Sequence, residues 1–172
     1  MENYYSDQLK QVLTFSREEA ERLGNREIAP EHLVLSMLRI SESKAIALLQ
    51  SLEVDLKLVK QSIEKEIRLD IITPNVSLAL SDDAERILKL VHLEARSLNE
   101  KIADTEHLLL SILKNGTGVV LDSLLAQGVS YDLVREKVVE RTDVRMGSVF
   151  SDEDDLEDEK PVTPTAKATQ SK

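Results

Sequence analysis

The stretch EHLVLSML (residues 31–38) returns 75 residues later as EHLLLSIL (residues 106–113). A helix built on either octet has no polar stripe. Leu33, Val34, Leu35, Met37 and Leu38 point in every direction around one copy, and Leu108, Leu109, Leu110, Ile112 and Leu113 around the other. A helix that is apolar all round lies inside a protein. Each octet is therefore expected to be the central helix of a small bundle, with its neighbours wrapped over it.

The repetition extends outward from the octets. At an offset of 75 the chain aligns with itself without gaps from Ser6 to Ile63. Identities include Ser6/Ser81, Asp7/Asp82, Glu19/Glu94, Ala20/Ala95, Leu23/Leu98, Leu49/Leu124, Val54/Val129, Leu58/Leu133 and Val59/Val134. The punctuation repeats as well. Ser6 and Ser81 are N-cap types, each followed by an Asp that complements the positive helix end. Gly24 and Asn99 close the first helix of each copy, because both residue types tolerate the left-handed conformation found there. A short third helix covers roughly residues 43–51 and 118–127. A fourth starts at the N-cap types Asp55 and Ser130, and Leu58, Val59, Ile63 and Ile67 are spaced to form its buried stripe. The ITPNVS segment (residues 72–77) joins the copies. The fold class read from this pattern is all-α, with eight helices in two pseudo-symmetric four-helix repeats. The first repeat with its connecting loop spans residues 1–75, the second residues 76–146, and residues 147–172 are expected to form an acidic, Pro-containing disordered linker.

Composition agrees with a helical protein and narrows its chemistry. The chain has 172 residues, 41% of them hydrophobic and only 3% aromatic, with five Gly and four Pro. The core is thus aliphatic and tight turns are few. Without Cys there is no disulfide, thiolate ligand or thiol nucleophile. A net charge of −10 disfavours nucleic-acid partners. No apolar run approaches the roughly 18 residues that cross a bilayer, and no signal peptide is evident at the start. A cytoplasmic location without a membrane partner is expected. The segment SDEDDLEDE (residues 151–159) carries seven acids and no base, and reads as a solvated spacer.

Two acidic residues stand out against the oily octets. Glu31 and Glu106 each occupy the first turn of a buried helix. There a carboxylate complements the helix dipole, or it receives a cationic group such as a guanidinium; the sequence leaves both open. His32 and His107 follow directly and are read as core or capping residues, with Thr105 beside them as structural support. Adjacent helical positions diverge by about 100°, so Glu-His neighbours do not chelate one metal ion, and no metal site is expected. Catalytic residues are not expected either. The sequence holds no G-x-S-x-G elbow, no phosphate loop and no G-x-G-x-x-G. The NGTGVV stretch (residues 115–120) reads as a turn between helices, and His92 has no partner in the repeat.

Residues 18–39 and 93–114 resemble the paired signature stretches of the double Clp-N motif, the N-terminal domain of Clp-family ATP-dependent unfoldases, and most of all its ClpC branch. The resemblance covers about residues 5–143. It implies a non-catalytic domain that docks adaptor proteins and unfolded or tagged substrates for unfolding and proteolysis. A Clp protease complex would be engaged through the parent chain. ATP and Mg²⁺ would belong to ATPase modules lying past the acidic segment, and no cofactor to this fragment. An alternative is a stand-alone double Clp-N accessory protein that binds a Clp protease complex. In some relatives the glutamate of each Glu-His pair holds the guanidinium of a phosphorylated arginine, and Glu31 and Glu106 are the positions that match. Ala29-Pro30 and Asp104-Thr105 stand here where that family usually has Gly-Thr.

Overall fold

The structure, a computed structural model, describes residues 4–70 and 77–151, with the side chains of residues 146–151 excepted. The acidic segment 152–172 and nearly all of the joining loop lie outside the described residues. Residues Met1–Glu140 make one compact unit, and Arg141–Lys172 a second. The first repeat supplies α1 (Asp7–Arg22), α2 (Pro30–Leu38), α3 (Lys44–Ser51) and α4 (Leu56–Ile67). The second supplies α5 (Asp82–Ser97), α6 (Thr105–Asn115), α7 (Gly118–Leu125) and α8 (Tyr131–Ser151). Among the described residues no single helix is long and apolar enough to cross a membrane.

The helices begin and end where the repeated punctuation places them. The Ser6 hydroxyl accepts from the Leu9 N–H at the start of α1, and the Ser81 hydroxyl from the Ala84 N–H at the start of α5. Ser43 caps α3 by accepting from the Ile46 N–H, and Asp55 caps α4 by accepting from the Leu58 N–H. Each such cap satisfies a backbone donor that the helix itself cannot. Past α1 and α5 the chain turns through Gly24 at φ +75° and Asn99 at φ +59°. The same device recurs after α3 and α7, at Glu53 (φ +58°) and Gly128 (φ +79°). Glu53 is thus the one member of these four without the residue chemistry that suits a left-handed backbone.

In the fourth helix the expected stripe is corrected at one position. Leu58 is 49% exposed, whereas Val59 and Ile63 are fully buried. Capping by Asp55 starts the helix at Leu56, so Leu56, Val59, Ile63 and Ile67 form the inward row, with Leu56 and Ile67 packed on the core from its edge. Leu58 faces outward.

The two repeats do not pack as separate bundles. One continuous apolar cluster includes buried side chains from both, among them Leu33, Leu35 and Met37 of α2 and Leu108, Leu110 and Ile112 of α6. Helix α2 packs on α1 and α4 of its own repeat and also on α5 and α7. Helix α6 packs on α5 and α7, and also on α1 and α3 of the other repeat. Four sides of an apolar helix need four covering elements, and a single repeat has only three to offer.

Main-chain hydrogen bonds tie the exchange together. A short strand β1 (Glu27–Ile28) pairs in parallel with β2 (Ala79–Leu80), and Tyr5 bridges Ala103. These are one interaction seen twice. Tyr5 and Leu80 are 75 residues apart, as are Ile28 and Ala103. Accordingly the Ser6 N–H donates to the Ala103 carbonyl at 2.8 Å and the Ser81 N–H to the Ile28 carbonyl at 2.9 Å. The segment entering the first helix of each repeat is therefore pinned by the loop ahead of the central helix of the other.

Two buried acids repeat in the same manner. Glu19 accepts from the Arg22 guanidinium at 2.6 Å and lies 3.4 Å from Arg39, just past the end of α2. Its twin Glu94 accepts from the Tyr131 hydroxyl at 2.7 Å and lies 3.8 Å from Lys114, the twin of Arg39. Each acid on the long first helix thus faces a cation at the far end of the central helix.

Because the cover is shared, residues 1–75 expressed alone are expected to show no cooperative thermal transition by circular dichroism, while the full chain shows one. Leu110→Ala, which empties a fully buried site, lowers the unfolding free energy by about 2–5 kcal/mol in urea. Glu53→Gly raises it, by up to about 1 kcal/mol, since it relieves the left-handed strain of a residue that already faces solvent.

Candidate functional site

The start of each central helix is organised by its histidine. In the first repeat the Ala29 N–H donates to His32 Nδ1 at 2.8 Å. With Nδ1 accepting, the proton sits on Nε2, which donates to Asn25 Oδ1 at 2.8 Å. Asn25 in turn donates to the Ile67 carbonyl, fastening the end of α4 to the loop ahead of α2. In the second repeat the Asp104 N–H donates to His107 Nδ1 at 2.9 Å. His107 Nε2 therefore also carries a proton, but it is buried without a hydrogen-bond partner among the described residues. The position matching Asn25 is Glu100, which is exposed. Glu106 Oε1 lies 3.7 Å from His107 Nε2, beyond hydrogen-bonding distance. Burial pushes both imidazoles down to about 4, so both are neutral at pH 7.

The two glutamates, alike in sequence, sit in different surroundings. Glu31 is half-buried and has no hydrogen-bonding or ion-pairing partner among the described residues. Glu106 is 8% exposed. The Lys44 ammonium, from the first turn of α3, lies 3.3 Å from Asp104 Oδ2 and 3.8 Å from Glu106 Oε1. Asp104 Oδ1 also accepts from the Thr105 N–H at 2.7 Å and from the Ser6 hydroxyl at 2.8 Å. Burial raises the pKa of Asp104, but these hydrogen bonds and Lys44 outweigh it and hold the carboxyl below its ordinary range. Thr105 Oγ1 accepts from the Ala45 N–H at 3.2 Å, which sets the start of α3 against the start of α6. Ala29 and Pro30 stand at the corresponding positions of the first repeat and offer neither a carboxylate nor a hydroxyl.

Glu31 and Glu106 are thus not brought together: each heads its own helix. Lys44 was not legible as part of the second site, since it belongs to the first repeat in sequence and to the second in space. Among the described residues no cluster of His, Asp and Glu is arranged to hold a metal ion. Away from the glutamates, a cleft of about 600 Å³ is lined by Tyr4, His92, Arg96, Asn99 and Lys101, among others. His92, without a twin in the repeat, stacks on Tyr5 at 5.0 Å between ring centroids and meets the edge of Tyr4 at 5.9 Å.

A family model described as the Clp repeat (R) N-terminal domain matches residues 4–127 and again 79–168. The chaperone protein ClpB of Oceanobacillus iheyensis is 33% identical over 136 residues, which are 79% of this chain and 17% of that protein. ClpC/MecB of Bacillus subtilis, described as a negative regulator of genetic competence, is 29% identical over 136 residues, with the same coverage. The chain thus spans less than a fifth of the length of either relative. The N-domain of ClpV from Vibrio cholerae has the same fold, with a TM-score of 0.70 at 17% identity over 80% of this chain and 84% of that one.

The buried histidines set an acid limit on stability. Their folded pKa of about 4 lies below the ordinary histidine value of 6.5. The unfolded chain therefore binds more protons, and stability present above pH 6.5 is lost as pH falls toward 4. Urea unfolding is expected to show a fall on the order of 2–5 kcal/mol between pH 7 and pH 4. His107→Asn flattens that slope, because its amide oxygen still accepts from the Asp104 N–H but does not titrate. A slope unchanged in this variant would show that His107 contributes nothing to it.

Proposed function

Because this chain belongs to the Clp repeat (R) N-terminal domain family, we propose that it docks adaptor proteins and unfolded or tagged substrates for a Clp-family ATP-dependent unfoldase. Proteins captured here would be passed on for unfolding and proteolysis. The observation that carries this reading within the family is Glu31, a half-buried carboxylate at a loop-helix junction that no described cation neutralises. A carboxylate held in that way is suited to a guanidinium or ammonium on an incoming chain, and a charge-assisted hydrogen bond to it contributes about 1.5–3 kcal/mol.

Docking needs a rigid frame, and the His32–Asn25–Ile67 chain of hydrogen bonds supplies one behind Glu31. His32, His107 and Thr105 act in this reading as supports that hold the helix starts. No nucleotide site is proposed for this chain. ATP and Mg²⁺ are assigned to ATPase modules of the larger machine. Cytoplasmic location and absence of a membrane role remain part of the proposal.

Fluorescence anisotropy with a labelled phosphoarginine-bearing peptide and its unmodified arginine counterpart tests the site. Glu31→Gln is expected to weaken binding of the peptide that the parent chain prefers by about tenfold, with a midpoint of thermal unfolding close to that of the parent. Equal affinity in parent and variant would mean that Glu31 serves only its helix dipole, and would retire the cation-receiving role.

A further inference from the structure

The second repeat already contains a cation at its glutamate, and among the described residues the first does not. Lys44 reaches across from α3 so that its ammonium lies between Asp104 and Glu106. Position 119, the twin of Lys44, is a valine in the first turn of α7. Helix α7 packs on α2 as α3 packs on α6, so the first site has an apolar residue where the second has a lysine. Exposure follows this difference: Glu106 is buried at 8% and Glu31 is half-buried.

We infer that Lys44 is a built-in occupant of the second cation seat, so that the duplicated domain presents one open docking carboxylate, Glu31, and one closed, Glu106. This rests on the docking reading above and adds how the two sites divide the work. The second seat is more than a helix start. It has two carboxylates, an ammonium from another helix, and the His107 Nε2–H, which is buried without a hydrogen-bond partner among the described residues. Glu106 Oε1 lies 3.7 Å from that nitrogen, and a shift of under an ångström would bring the two into hydrogen-bonding distance.

The closure is of a kind that can be displaced. The Lys44 side chain is 40% exposed. Partly exposed ion pairs of this sort contribute between zero and about 1 kcal/mol. The lysine thus disfavours weak cations at Glu106 and yields to a ligand that binds with more contacts. The closed state also carries its own charge balance. Asp104, which has no counterpart at Ala29, comes with the lysine, so both sites keep a single net negative charge.

Amide NMR on the full chain, titrated with N-acetyl-arginine amide, reads both sites at once. In the parent, amides of residues 31–33 are expected to shift at lower probe concentration than those of residues 106–108. In Lys44→Ala the second set tightens roughly two- to fivefold while the first set is unchanged. Adding Glu106→Gln to that variant abolishes the gain. A second set that does not tighten in Lys44→Ala, or two sets that titrate alike in the parent, overturns the inference and leaves the docking reading in place. Silence of both sets in the parent and in Lys44→Ala overturns the cation-receiving reading together with the inference.

Discussion

Burial of α2 and α6 on every side is the constraint on which this structure depends, because a helix with no polar face must be covered all round or leave apolar surface in water. Burying apolar surface contributes about 25 cal/mol per Å², and Leu33, Leu108 and Leu110 are all fully buried. A four-helix repeat leaves only three helices to cover the fourth. The duplication resolves the shortage by exchange, with α3 and α1 contributing to α6, and α5 and α7 to α2. The twin backbone pairings at Tyr5–Ala103 and Ile28–Leu80 lie where the exchanged segments cross. There two short extended segments satisfy each other's hydrogen-bonding groups.

Divergence between the copies is permitted where it leaves that cover intact. Arg39 became Lys114 opposite the buried acid, and Tyr131 took up a hydrogen bond to Glu94 of the kind Arg22 makes to Glu19. Gly128 and Glu53 occupy the same left-handed turn with different ease. The helix starts diverged further. Both histidines accept from the backbone three residues earlier, yet among the described residues only His32 has a partner for its second nitrogen. One copy thus holds a settled structural histidine beside an open carboxylate. The other holds an unsettled histidine beside an occupied one.

This asymmetry gives a duplicated domain something that two identical repeats lack. Two equal cation seats would favour ligands with two cations at a fixed spacing. In the proposed reading, one open seat and one that opens only to a stronger ligand separate first contact from commitment, with Lys44 contributing to the difference.

Helix identity and punctuation were legible in the chain because they are local. Ser6, Asp55 and Ser81 cap with their own side chains, and Gly24 and Asn99 take the left-handed turn that their own chemistry favours. The octets declared themselves buried because apolarity in every direction needs no knowledge of the neighbours, and Glu31 and Glu106 stood out for the same reason. Leu58 misled, because Leu56, Val59, Ile63 and Ile67 make up the inward row, and Leu58 stands about 100° round the helix from Val59. What covers each octet, which segments pair as strands, and which glutamate stays open were decided only by the tertiary structure. These depend on residues far apart in sequence, above all on Lys44 meeting Asp104 and Glu106 across the repeat boundary. An offset of 75 reveals that two segments are alike, but it cannot reveal that each completes the other.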